Sequence, residues 1–157
     1  MAALTRQLAG AGVAVTVLPA TDLYLMGRDR DHNHTRGVLR VHEMLEHGVN
    51  CSLSTNNVLN PFTPFGDCSL VRMANLYANT AHAGLRDFSD CLDMVTRRPA
   101  RLLRREGYGI EIGKPANLVV LDCKTPEEAV SELAIPLYGF RGGRMSFSRK
   151  AVEIHAP

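Results

Sequence analysis

Two short apolar runs narrow the folds open to this chain more than anything else in it. They are Val13-Ala14-Val15-Thr16-Val17-Leu18 and the start of Val49-Asn50-Cys51-Ser52-Leu53-Ser54. The first is β-branched and nearly continuous, the pattern of a parallel strand buried on both faces. Between them, Pro19 to Arg30 reads as a loop, and Thr35 or Arg36 to His47 reads as a helix with Val38, Leu39, Val41, Met44 and Leu45 on a broad apolar face. Gly48 closes that helix and the second strand begins at once. A strand–loop–helix–strand succession makes the two strands parallel and joins them right-handedly. The expected fold class is therefore α/β.

The second run breaks into Thr55-Asn56-Asn57-Val58-Leu59-Asn60-Pro61-Phe62-Thr63-Pro64-Phe65-Gly66, whose prolines cannot continue a ladder. In α/β folds a polar loop at the carboxyl end of a strand is the usual place for a ligand site. Upstream, Met1 to Gly10 reads as the tail of a helix, with Leu4 and Leu8 on one face. Downstream, Asp67 is the expected N-cap of a helix to about Ala83, carrying Leu70, Met73, Ala74, Tyr77 and Ala81 at helical spacing. Helices follow at Asp87–Thr96 and from about Pro99, then a strand at Ala116–Asp122. A helix opens at Thr125-Pro126-Glu127-Glu128 and ends near Ala134. Leu137–Phe140 and Arg144–Phe147 form a hairpin around Gly142-Gly143.

Charge and cysteine usage exclude several partner classes. A formal net charge of +2 gives no reason to expect a polyanionic partner. The Arg97, Arg98, Arg101, Arg104 and Arg105 cluster lacks the interleaved aromatics of a single-strand binder, so it reads as a solvated helix face and no nucleic acid is expected. Cys51, Cys68, Cys91 and Cys123 contain no CxxC pair, which suggests neither a zinc knuckle nor a disulfide framework. Val13–Leu18 is too short to span a membrane and no basic segment precedes it, so the expected location is cytoplasmic, with no membrane partner.

Four separated pieces resemble cytosine deaminases of the metal-dependent amidohydrolase superfamily. They are Leu25-Met26-Gly27-Arg28, Val41-His42-Glu43-Met44-Leu45-Glu46-His47-Gly48-Val49, Asn56-Asn57-Val58-Leu59-Asn60-Pro61-Phe62, and Tyr108-Gly109-Ile110-Glu111-Ile112-Gly113-Lys114-Pro115-Ala116-Asn117-Leu118-Val119-Val120-Leu121. The resemblance covers roughly residues 4–148 and implies the C-terminal portion of a chain more than twice as long. It implies the last two strand–helix units of a (β/α)8 (TIM) barrel over residues 1–107. Residues 108–157 would be the C-terminal half of a small β subdomain with a short helix. The implied parent activity is hydrolysis of a C–N bond, a deamination, in a cytosine-like or other small cyclic amidine, with a divalent zinc, iron or manganese in the complete enzyme.

The resemblance also assigns positions. Asn56 stands where the family has the aspartate that binds the metal and moves a proton from the attacking water to the leaving ammonia. An amide can offer a metal its carbonyl oxygen but cannot accept that proton. Asn57 matches a substrate-contacting position and Phe62 an aromatic lining the pocket. No metal ligand set is expected in this chain: His32-Asn33-His34 reads as a surface loop, and His42 and His47, five apart, read as solvated or capping. Asp22, beside the end of the first strand, is a further candidate for the same pocket. The isolated chain is thus expected to be inactive and, with strands that lack neighbours, a homo-oligomer. The alternative is a non-catalytic remnant that works as a binding or assembly module.

Overall fold

The computed structural model describes residues 2–150 together with 152, 153 and 155. Helix α1 (Ala2–Gly10) leads to strand β1 (Val15–Val17), followed directly by α2 (Pro19–Leu25). Then come α3 (Val41–Leu45), β2 (Cys51–Leu53) and α4 (Leu70–Ala81). A 3-10 turn (Leu85–Asp87) precedes α5 (Phe88–Asp93) and α6 (Arg97–Leu102). The chain closes with β3 (Leu118–Leu121), α7 (Pro126–Ser131), β4 (Pro136–Arg141) and β5 (Arg144–Ser148). Of the expected first helix, Met1 lies outside the described residues.

The fold is mixed α/β. Strands β1 and β2 pair in parallel, Val15 opposite Cys51 and Val17 opposite Leu53. The Thr16 and Ser52 hydroxyls meet across the pair at 2.8 Å. Strands β3, β4 and β5 form a separate antiparallel sheet. In it Gly139 faces Phe147 so closely that a Cβ there would lie 2.1 Å from the ring.

Three expectations for the first half need correction. Pro19–Arg30 is not all loop, because α2 starts at Pro19, where a missing N–H costs nothing at a helix's first position. The helix expected over residues 35–47 is only Val41–Leu45. Thr35, Gly37 and Val38 are weak helix formers, and Arg40 turns to ψ 69°, so nothing propagates upstream. Asp67 is not the N-cap of α4. Ser69 is, its hydroxyl accepting the Arg72 N–H at 3.2 Å, because Cys68 takes φ 61° and moves Asp67 outside the helix.

The core joins both strands to the helices behind them. Val17, Cys51 and Leu53 pack with Val41, Met44, Ala74, Tyr77, Cys91 and Met94. Helix α7 belongs to this core as well: Val130 is fully buried in it, and its carbonyl accepts the Asn75 amide at 2.8 Å. By contrast, Val119, Met145 and Phe147 in the antiparallel sheet are exposed. Among the described residues no helix is long and apolar enough to cross a membrane.

Candidate functional site

The site forms where the parallel pair ends. The Ser54 N–H makes its bond to the Val17 carbonyl at 3.0 Å, and the chain then leaves the sheet. Asn56 takes φ 56°, a left-handed conformation that asparagine tolerates better than most side chains. Its N–H reaches the Ser54 hydroxyl at 3.4 Å. The side chain is exposed, and its carboxamide has no hydrogen-bond partner among the described residues.

Asn57 points the other way, into a polar cluster that joins the ends of β1 and β2. Its Nδ2 donates to the Thr21 hydroxyl at 3.5 Å, and its Oδ1 accepts from Asn60 Nδ2 at 2.9 Å. Thr21 Oγ1 lies 2.9 Å from Thr63 Oγ1 and 3.4 Å from the Thr55 carbonyl oxygen. Thr63 is fully buried and Thr21 nearly so. A cluster this dry is sustainable because each hydroxyl and amide has a partner. Sequence reading missed Thr21, Asn60 and Thr63. Only the clustering of Thr and Asn at two strand ends hinted at them, and short polar side chains at strand ends more often serve turns.

Beside the cluster lies an open pocket of about 420 Å³. Asn57, Thr55, Phe65 and Met73 line it together with the Asp67–Arg72 pair. That ion pair is 2.8 Å long, and the Ser69 backbone N–H, reinforced by Arg72, holds the Asp67 carboxyl below the usual range. Phe62 is 59% exposed and lies outside this lining, whereas Phe65 belongs to it and meets Tyr24 edge-to-face at 5.5 Å. Arg28 lies over the Tyr24 ring, 5.2 Å from its centroid. Asp22 sits half-buried in the first turn of α2 and does not line the pocket.

The histidines fall elsewhere. His32 and His34 lie in an exposed loop, their Nδ1 atoms at 2.6 Å from the Asp31 carboxylate and the Gly27 carbonyl respectively. His42, expected to be solvated or capping, is instead buried at 8% exposure against Tyr77, a partner 35 residues away that spacing could not reveal. His47 borders a second cleft of about 410 Å³ between α1 and α3. His82 ends α4 in a left-handed turn.

Among the described residues no three His, Cys, Asp or Glu side chains converge to hold a metal ion. The donors around Asn56 and Asn57 are neutral amides and hydroxyls, a poor match for zinc, which takes thiolate, imidazole or carboxylate. The residues present therefore do not by themselves form the metal centre that the resemblance implies. What they offer is hydrogen bonding to an uncharged polar ligand.

The Amidohydrolase family pattern matches residues 1–138. The N-isopropylammelide isopropyl amidohydrolase of Pseudomonas sp. (strain ADP) is 33% identical over 113 residues, 71% of this chain and 28% of that protein. The solved 5-methylcytosine deaminase from Klebsiella pneumoniae, liganded with 5-fluorocytosine, superposes at a TM-score of 0.90 with 32% identity. That match covers 99% of this chain and 38% of the deaminase. A mutant of the atrazine chlorohydrolase TrzN from Arthrobacter aurescens TC1, complexed with zinc and atraton, shares the fold at a TM-score of 0.67 and 21% identity, over 92% of this chain and 33% of TrzN. The chain thus spans well under half the length of these relatives.

Proposed function

This chain belongs to the Amidohydrolase family, and from that premise we propose that it forms the C-terminal share of a cytosine-deaminase-like hydrolase. In this reading β1 and β2 are the last two strands of a (β/α)8 barrel, and residues 108–157 are the C-terminal half of a small β subdomain. The complete enzyme hydrolyses the C–N bond of a cytosine-like or other small cyclic amidine, adding water and releasing ammonia. The observation that carries the proposal is the superposition of nearly the whole chain on a deaminase liganded with a pyrimidine.

The residues divide the work unevenly. Asn57 contacts the heterocycle from the pocket wall, where Phe65 rather than the expected Phe62 supplies the aromatic lining. Asn56 replaces the carboxylate that would move a proton between water and ammonia, so this chain contributes recognition and no proton transfer at that position. A family metal would have to be held by residues outside the set described. The isolated chain is accordingly inactive.

A chimaera tests the proposal. In the 5-methylcytosine deaminase, the matching 38% is replaced by this chain, with and without Asn56→Asp. Ammonia release from 5-methylcytosine is expected from the chimaera carrying Asn56→Asp and should be roughly 10²–10⁴-fold lower in the one that keeps Asn56, the usual worth of a general acid–base group. A folded Asn56→Asp chimaera that binds 5-fluorocytosine but never turns over would overturn the catalytic reading.

A second reading, a binding or assembly module, is favoured by the open edges of the two-stranded parallel sheet and by exposed Val119, Met145 and Phe147. In either reading the isolated chain self-associates. Sedimentation at tens of micromolar should give a dimer or larger species, and a clean monomer would count against this. The two readings separate on whether the reading frame continues upstream into a His-x-His strand.

A further inference from the structure

Thr21 stands in the first turn of α2, where β1 hands on the chain, and it is 7% exposed. A hydroxyl carries one proton and two lone pairs. Thr21 meets three groups with them: Thr63 Oγ1, the Thr55 carbonyl and Asn57 Nδ2. One assignment satisfies all three. Thr21 donates to the Thr55 carbonyl and accepts from both the Thr63 hydroxyl and the Asn57 amide. Thr63, which is fully buried, then has its proton paired as well.

The other end of Asn57 is fixed independently. Its Oδ1 accepts from Asn60 Nδ2. Asn60 cannot be turned round, because its own Oδ1 accepts the N–H groups of Phe62 at 3.0 Å and Thr63 at 3.1 Å. The orientation of Asn60 therefore dictates that of Asn57, and Thr21 receives the Nδ2 end. One N–H and one Oδ1 lone pair of Asn57 are left over, and Asn57 lines the open pocket.

We propose that Thr21 and Asn60 are positioning residues for Asn57, clamping its carboxamide so that a free donor and a free acceptor sit side by side toward the pocket. The matching ligand edge is an acceptor next to an N–H or NH2, as on a lactam or aminopyrimidine ring. The ligand half of this inference rests on the reading of Asn57 as a substrate-contacting residue; the clamp itself rests on the hydrogen-bond geometry.

The experiment follows two signals on the native ¹⁵N-labelled chain and on Thr21→Val, Thr21→Ser and Asn60→Ala. One signal is the side-chain NH2 pair of Asn57, and the other is binding of 5-fluorocytosine by ¹⁹F NMR. Thr21→Val should move or broaden the Asn57 pair and weaken 5-fluorocytosine by roughly three- to tenfold, the effect of losing one ordinary hydrogen bond. Thr21→Ser should restore both. Asn60→Ala should shift the same pair from its other end, which keeps the test decisive where Thr21→Val does not fold. An Asn57 pair unmoved in folded Thr21→Val or Asn60→Ala overturns the clamp. Failure of the native chain to bind 5-fluorocytosine overturns the ligand assignment, while the Asn57 signals still decide the clamp.

Discussion

The Tyr77 hydroxyl sits astride His42, accepting its backbone N–H at 3.0 Å and meeting its Nδ1 at 2.8 Å. Nδ1 is the one acceptor that this contact offers the buried Tyr77 proton, and assigning the proton to it makes Nδ1 the acceptor and puts the imidazole hydrogen on Nε2. The same contact caps an N–H in the first turn of α3, a helix whose own N-cap, Arg40, makes no side-chain cap bond. Tyr77 thus does from α4 what a Ser or Asp would do locally. Its complete burial pushes the phenol pKa far upward, which keeps the proton in place.

Tyr77→Phe should therefore cost about 1–3 kcal/mol in a urea titration, the penalty for stranding a buried donor and acceptor. ¹⁵N NMR of the native protein should show the Nε2–H tautomer of His42. A Tyr77→Phe variant as stable as the native chain would dismiss the cap.

Burial pushes the Cys51 thiol up to about 11 and the Cys91 thiol up to about 12. At pH 8 the Cys51 thiolate is then only about one part in a thousand, so both buried thiols should resist a disulfide reagent until the protein unfolds. Cys68 is exposed and should react first. The pH dependence has a definite sign. Above the ordinary thiol value near 9 the unfolded chain loses these protons while the folded chain keeps them, so stability should fall from about pH 9 upward through the folded pKa of each thiol. Below pH 9 neither thiol contributes a slope. Chemical denaturation between pH 8 and 10.5, compared with Cys51→Ala and Cys91→Ala, checks this.

A Cβ at Gly139 would collide with Phe147, but that ring is 44% exposed and free to swing outward. Gly139→Ala should cost about 1 kcal/mol, the low end for overpacking, and much less in a Phe147→Ala background. Thermal melts of the four proteins in the cycle measure it. Equal costs in both backgrounds would show that the ring is not what constrains the glycine.

Asn56 holds its left-handed turn without a side-chain bond among the described residues. Asn56→Gly should be neutral or slightly stabilising, because it removes the Cβ that crowds the carbonyl in this turn. Asn56→Ala should lose up to about 1 kcal/mol, because alanine keeps that Cβ without asparagine's tolerance of the left-handed region. Asn56→Asp should leave the fold intact and give no ammonia release from cytosine by the isolated chain, with zinc, iron or manganese added. Metal-dependent turnover by that variant would overturn the reading of the chain as a partial hydrolase.

The parallel β1–β2 pair was legible because Val15, Val17, Cys51 and Leu53 sit in two short apolar runs whose separation admits only a crossover. Burial on both faces holds for β2 alone: in β1 Val15 is half-buried and Thr16 exposed, since no strand or helix among the described residues covers the Thr16 face. The hairpin and the helix start at Thr125 were legible from local chemistry, glycines in the one and the first-turn acids Glu127 and Glu128 in the other, where the structure adds a Thr125 hydroxyl that accepts the Glu128 N–H. Helix α2 was missed, although Pro19 marks its first position, because Gly27 and charged Arg28–Arg30 follow so soon. The burial of His42 and the anchoring of Asn57 were invisible for one reason. Each depends on a hydroxyl tens of residues away, Tyr77 and Thr21, and no local spacing carries that information.

The registers of the two sheets also set an order of events as the chain folds. Val15 meets Cys51 only after 36 residues have been looped out, an entropic toll of about 3 kcal/mol before any contact forms. Arg141 meets Arg144 across two glycines. A hairpin of that kind closes in about 1–10 μs, while the parallel pair must wait for α3 and α4 to gather around it. During that wait the strand that leads to Asn56 lies unpaired and apolar, so the segment nearest the candidate site is also the one most open to mispairing with a neighbouring chain.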